Sequence, residues 1–338
     1  MPNDTTKKLV FIFEDCPTKG SYPLERLLIL YNMLPEHDRF LFVKTKRQPL
    51  LKLCEKYNVM PILFDNFDEA ARSIRNLQAD VIIQDGKNQL SEYTEKLKPF
   101  CKTYIQFDNF LDGHMLADYN LFTFVDELLE LNAPNSLIGS YSFAVPDDLL
   151  KIPKDKPKNS ITPHIVIHFE DGDPQNLTYR VLRHLTQLHI PLKLSIVIDE
   201  DYKHSIDDLQ MMQLQCNAKM IKFPTDAKYL EDSTIVIGNA NYTPFKIASV
   251  GIPYIALAQN ELELGNSVVR EENGFIHLGL GKKIKQSSLQ NAVMELILHD
   301  DRRERAIVKQ QRLAIVQNNE LLQTLISKFI SSQPITFL

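Results

Sequence analysis

Glycine is scarce in this chain of 338 residues, 11 in all, or about 3% against a usual ~7%. Loops that hold phosphates by backbone contact normally draw on glycine, so few such loops are expected. Tryptophan is absent, and cysteine is limited to Cys16, Cys54, Cys101 and Cys216, far apart and without a C-x-x-C pair. That spacing excludes a zinc ribbon and fits reduced cytosolic thiols better than a disulfide frame. Long hydrophobic runs are missing too. No stretch approaches the ~20 apolar residues of a membrane span, and the short run 9–13 meets Glu14 and Asp15 before it becomes a secretory core. The expectation is a cytoplasmic protein with no membrane span. Positive charge is not in excess: 38 Lys and Arg against 43 Asp and Glu leave a formal net charge of −5, so no nucleic-acid partner is expected. The histidines form no H-E-x-x-H motif. Neither a metal site nor a cofactor is expected.

What the chain does have is an ordinary globular composition, 44% hydrophobic and 24% charged, and enough length for two domains. Short apolar runs rich in β-branched residues recur at 9–13, 61–64, 81–83, 104–107 and 121–125, with amphipathic stretches at 24–34, 50–57, 67–77 and 90–97 between them. Apolar runs without alternation predict strands buried on both faces, hence a mostly parallel sheet covered by helices. Segment 146–163, with four prolines among lysines, breaks the pattern and reads as a linker. The rhythm then restarts, with strands at 165–169, 193–198, 220–223, 234–237, 254–257 and 275–278 and helices at 177–188, 244–250 and 288–298. The tail 301–330 reads as one long polar-faced helix. The fold class expected is α/β, two Rossmann-like domains facing a cleft: residues 1–148, a linker 149–163, a second domain 164–316, and a helix 317–338 crossing back to the first.

In open α/β sheets ligands sit beyond the carboxyl ends of the strands, which directs attention to the residues there. After the first strand the turn carries Cys16 and Gly20. Cys16 as a nucleophile lacks a base, and Glu14 and Asp15 beside it oppose a thiolate. Asp85 and Asp108 follow strands and are candidate bases; Asp is also common at strand ends and caps. In the second half, Glu170-Asp171-Gly172-Asp173-Pro174-Gln175-Asn176 links a strand to a helix and offers N–H groups to an anion, although its two leading carboxylates oppose a diphosphate. Gly238-Asn239 through Thr243 leads into a second helix start, with Lys246 one turn in as a candidate cation for phosphate or carboxylate.

Taken in order, these segments resemble the glycosyltransferase-B-like superfamily, nearest the nucleotide-sugar hydrolase of pseudaminic acid synthesis and the related spore-coat polysaccharide biosynthesis proteins. Phe169-Glu170-Asp171-Gly172-Asp173-Pro174-Gln175-Asn176 stands where the family carries F-G-G-S-D-P-x-N. Asp232, Ile237-Gly238, Thr243, Gly251-Ile252-Pro253 and Asn260 follow its later pattern. Asp80-Val81-Ile82-Ile83-Gln84-Asp85, Phe107-Asp108-Asn109, Ala117-Asp118 and Gly139-Ser140-Tyr141 match its first half. The resemblance implies a nucleotide-sugar site drawing on Gly20, Arg26, Gly172, Asp173, Asn176, Gly238, Asn239, Thr243, Lys246 and Asn260. It also shows what is lost. Alignment on Arg26 puts Pro23 where the family's catalytic histidine stands, and proline transfers no proton. The paired glycines become Glu170-Asp171 and Ala240-Asn241, and the ribose-binding glutamate becomes Lys246. Two functions follow as expectations. The first is a divergent hydrolase or glycosyltransferase of surface-polysaccharide synthesis, binding a nucleotide-activated or acidic sugar in the cleft. The second is a non-catalytic relative that docks onto protein partners of such a pathway.

Overall fold

A computed structural model of the chain describes residues 6–125, 135–153 and 162–331; most of the proposed linker, 154–161, lies outside the described residues. The chain divides into two compact units, Met1–Ala144 with Gln317–Leu338, and Val145–Val316.

The first unit runs β1 (Lys8–Glu14), α1 (Tyr22–Met33), β2 (Asp38–Lys44), α2 (Gln48–Lys56), β3 (Ile62–Leu63) and α3 (Phe67–Leu77). It continues with β4 (Val81–Gly86), α4 (Ser91–Leu97), β5 (Thr103–Phe107), β6 (Tyr119–Phe122) and β7 (Ser136–Ile138). These strands form one sheet in the order β3-β2-β1-β4-β5-β6-β7, every pair parallel. The run Leu9 to Phe13 shows why. Leu9, Phe11 and Phe13 enter one apolar cluster with Leu24, Leu27 and Leu28 of α1. Val10 and Ile12 enter the cluster on the other face with Phe67, Ala70 and Ile74 of α3. A strand apolar at every position buries both faces only between two helical layers.

The second unit runs α5 (Asp147–Leu150), β8 (His164–His168), α6 (Leu177–Leu185), β9 (Lys193–Ile198), α7 (Ile206–Gln213), β10 (Ala218–Lys222) and β11 (Ile235–Gly238). Then come α8 (Thr243–Val250), β12 (Tyr254–Ala258), α9 (Glu261–Leu264), β13 (Phe275–Leu280), α10 (Gln286–Leu298) and α11 (Asp300–Gln311). Its six strands lie in the order β10-β9-β8-β11-β12-β13, again all parallel. The fold class is thus α/β, with two Rossmann-like sheets.

The single tail helix expected over 301–330 is corrected. Asp300–Gln311 and α12 (Asn318–Ile330) are separate helices, divided where Ala314 takes a left-handed φ of 51°, which no α-helix sustains. The break lets the two halves serve different units. Gln310 of α11 donates to Gly274 O, while Leu322, Ile326 and Phe329 of α12 bury in the core of the first unit. Tyr119 of β6 stacks on Phe329 with centroids 3.9 Å apart.

Candidate functional site

Each sheet reverses its strand order once, between β1 and β4 in the first unit and between β8 and β11 in the second. At such a point the loops that follow the two strands leave in opposite directions and open a crevice.

In the second unit the crevice is spanned by Glu170. Its backbone N–H donates to Asn239 Oδ1 at 2.8 Å, and its carboxylate accepts from Thr243 Oγ1 at 2.8 Å and pairs with Lys246 Nζ at 3.0 Å. Burial raises the Glu170 pKa, but Lys246, His168 and the Thr243 hydroxyl outweigh it and hold the group below the usual range. Thus Lys246 is not a solvated lysine; it is a partner of Glu170. Asp173 behaves in the same inward way. Its two oxygens accept the N–H groups of Leu177 and Thr178, each at 2.8 Å, so the first turn of α6 is capped by the chain's own carboxylate. Asn176, at a left-handed φ of 52°, accepts from Tyr202 Oη at 3.0 Å.

The loop after β11 is fixed by Glu263, a residue that sequence reasoning missed. Glu263 is buried, and one oxygen accepts from Ala240 N at 3.1 Å and Gln259 N at 3.0 Å. Asn260 caps α9 by accepting Glu263 N; its side chain is engaged with that helix. Burial pushes the Glu263 carboxyl up to about 7 against those hydrogen bonds. Gly238 ends β11 where a Cβ would lie 2.3 Å from His168 O and 2.5 Å from Tyr254 Oη; its smallness serves a close strand approach. Gly238→Ala is therefore expected to cost about 1–3 kcal/mol by overpacking, read as a lower urea midpoint. An unchanged midpoint would show that β8 yields freely.

Beside Glu170 stands a second group absent from the sequence reading. His168, the last residue of β8, is buried, with Nε2 3.0 Å from Asp199 Oδ1 and Nδ1 3.1 Å from Tyr229 Oη. Burial lowers the His168 pKa, yet Asp199 and Glu170 prevail and raise it. Position was the available signal, since His168 interrupts one apolar run and Asp199 follows another directly. Gln259, just past β12, is buried as well. Its Oε1 accepts from Gln175 N at 3.1 Å, while its Nε2 meets no partner among the described residues.

In the first unit, Arg26, Asp85 and Asp108 are brought together, fully buried. Arg26 Nε lies 2.7 Å from Asp85 Oδ2 and its Nη2 2.7 Å from Asp108 Oδ2. Its Nη1 donates to Thr123 Oγ1 at 2.6 Å and Ser142 O at 3.1 Å. Asp85 also accepts Gly86 N, and Asp108 accepts Thr123 N, both at 2.7 Å. Lys19, buried in the turn beside Gly20, donates to Asp108 O. Every oxygen of the two candidate bases is thereby engaged. Pro23 sits in the first turn of α1, next to Tyr22, whose hydroxyl bonds the backbone of Ala144. At this unit's switch point Glu14 binds Lys44 at 2.9 Å, Lys87 at 3.4 Å and Gln89 at 3.1 Å. Among the described residues no group of His, Cys, Asp and Glu is placed to hold a metal ion, and no helix is long and apolar enough to cross a membrane.

No protein-family model matches the chain. It is similar to an uncharacterised protein of Methanocaldococcus jannaschii, 24% identical over 277 residues, which cover 76% of this chain and 56% of that protein. The chain thus spans little more than half the length of that relative. Among solved structures it superposes on MurG of Acinetobacter baumannii with a TM-score of 0.71 at 13% identity, covering 95% of this chain and 99% of that one. A UDP-N-acetylglucosamine 2-epimerase assignment from Listeria monocytogenes gives 0.64 at 13%, covering 98% and 99%. HepE of Anabaena, solved in complex with UDP and glucose, gives 0.63 at 13%, covering 96% and 100%. At such identities the likeness speaks for the fold. The chain has the two-domain architecture of glycosyltransferase-B enzymes and the epimerases built on the same plan.

Proposed function

We propose that the protein acts in surface-polysaccharide synthesis, of the kind the spore-coat resemblance implies, and holds a nucleotide-activated or acidic sugar at the carboxyl ends of β8, β11 and β12. The observation that carries this reading is the buried Nε2 of Gln259, a donor without a protein partner among the described residues, beside the 170–176 turn of the switch point. Buried polar groups are nearly always satisfied, and a ligand hydroxyl, carboxylate or phosphate oxygen supplies the missing acceptor. The buried Glu170–Lys246 pair supports the same reading, because two well-packed apolar side chains serve stability at least as well as a buried ion pair. HepE, which shares the architecture, was solved with UDP and glucose.

A specific observation favours the second reading, a non-catalytic partner protein. The first N–H groups of α6 are taken by Asp173, and Thr243 N of α8 by Asn241 Oδ1 at 3.1 Å, so the donors that normally receive a diphosphate are already in use. One measurement separates the two readings. Thermal unfolding is followed with UDP-, CMP-, dTDP- and GDP-sugars and with free acidic sugars. A true ligand at ~100 Kd adds about 2.7 kcal/mol of stability, and Gln259→Met should remove most of that gain. A melting curve unmoved by the whole panel overturns the sugar-binding reading in favour of the partner role.

A further inference from the structure

Between α3 and α4 of the first unit runs a groove of about 650 Å³, inside the ~300–1,000 Å³ range of small-ligand sites. Its walls follow from the sequence. Phe67, Ala70, Ala71 and Ile74 turn one face of α3 into the core. Arg72 and Arg75, three residues apart and thus neighbours on the helix surface, stay exposed and line the groove. Facing them are α4 and the 3-10 turn Lys98–Phe100 that follows it. Phe67 meets Tyr93 of α4 edge-on, centroids 5.0 Å apart, and Asp68 pairs with Lys96 at 2.9 Å. These two contacts tie the walls together, so the space exists before a ligand enters. The charges around it are unevenly matched. Lys96 pairs with Asp68, Lys98 with Asp118 and Lys102 with Asp80. Arg72 and Arg75 have no carboxylate within ion-pair reach among the described residues. Arg75 instead lies over the ring of Phe100, 5.9 Å from its centroid, a contact that aims the guanidinium and leaves its N–H groups unused.

We propose that this groove is a separate ligand site for a small organic anion, whose carboxylate or phosphate is gripped by Arg72 and Arg75 and whose flat apolar body packs against Phe100 and Pro99. Guanidinium groups are weakly hydrated and meet carboxylate or phosphate oxygens two N–H groups at a time. Ala71, Pro99 and Phe100 supply the apolar part of the lining. Glu95 also lines the groove; set against two guanidiniums it leaves one positive charge in excess and opposes a ligand with a second anionic group on its side. The chain as a whole carries a formal net charge of −5, so no general attraction for anions would bring such a ligand here. Local geometry does. The site lies wholly within the first unit and does not depend on the sugar-binding reading.

Binding to the intact protein is followed by ligand-observed NMR with three probes: phenyl phosphate, which carries both features, inorganic phosphate, which carries the charge alone, and benzyl alcohol, which carries the ring alone. Phenyl phosphate is expected to bind about tenfold tighter than either of the others. An affinity equal to that of inorganic phosphate or of benzyl alcohol overturns the proposal. Arg72→Gln and Arg75→Gln place good helix formers at exposed positions, so α3 is kept. Each should weaken phenyl phosphate about tenfold, and Phe100→Leu about threefold. Gln259→Met, in the other unit, should leave that affinity unchanged. Binding that survives both arginine variants, or that is lost in Gln259→Met, puts the probe elsewhere and overturns the site. A second measurement needs no variant. Phenyl phosphate should slow modification of Arg72 and Arg75 by phenylglyoxal about fivefold, read residue by residue by mass spectrometry, while the exposed Arg305 reacts at its usual rate. Arginines 72 and 75 that gain no protection overturn the proposal as well.

Discussion

Replacing Arg26 by methionine is expected to cost about 3–5 kcal/mol of unfolding free energy, a large share of the roughly 5–15 kcal/mol that holds a typical domain together. Methionine fills much of the arginine's volume, so the loss comes from charge. Asp85 and Asp108 lose the guanidinium that satisfies both of them with no solvent exposure at any of the three side chains. Lys19 remains near, and it donates to the backbone oxygen of Asp108. The guanidinium also lies over Phe107, 4.3 Å from the ring centroid, a contact that methionine keeps only as dispersion. The measurement is a denaturant titration. Adding Asp85→Asn and Asp108→Asn to Arg26→Met should recover much of the stability, since amides keep the acceptors for Gly86 N and Thr123 N without the orphaned charge. A loss below about 1 kcal/mol for Arg26→Met alone would contradict the structural role assigned to these carboxylates.

The second large effect is a pH dependence. The carboxyl of Glu263 sits at about 7 in the folded protein against 4.5 when solvated, because burial outweighs the hydrogen bonds from Gln259 and Ala240. The folded state therefore holds a proton that the unfolded chain releases first. The stability this provides is complete below about 4.5 and is lost as pH rises through about 7, a fall of roughly 3 kcal/mol over that window. Glu263→Gln supplies a permanently neutral acceptor in the same place. Its stability curve should lose this slope and cross above that of the wild type near neutral pH. A wild-type stability that rises steadily between pH 5 and 8, with the variant running parallel, would sink the assignment.

The core strands were legible because burial on both faces leaves a local signature: Leu9 to Phe13 and Ile165 to Ile167 are apolar without a break. The elements that escaped have none. In α7 only Leu209 is buried, so no apolar stripe marks the helix. β7 is three residues long. The apolar centre of β2, Phe40 to Val43, sits between charged residues close behind α1 and passes for the end of a connection. The candidate sites divided along a different line. Reading outward from the strand ends drew attention to Asp85, Asp108, Asp173 and Lys246, each of which is hydrogen-bonded within its own unit. What sequence order does not convey is pairing, since Arg26 meets Asp85 across 59 positions and Lys246 meets Glu170 across 76. Whether a carboxylate waits for a ligand or is already spoken for depends on such long-range geometry. The pairings of Glu263 and of His168 stayed hidden for the same reason, since their partners lie far along the chain.

The split at Ala314 carries a consequence for biogenesis. Residues of the second unit form an unbroken stretch of chain, whereas the first unit has its sheet at one end of the chain and α12 at the other. On the ribosome, the earlier-made half must wait with Leu27, Leu28 and Phe11 lacking their cover until Leu322, Ile326 and Phe329 are synthesised. Part of that core is thus made last, and the nascent amino-terminal half is the natural client for a chaperone during the interval.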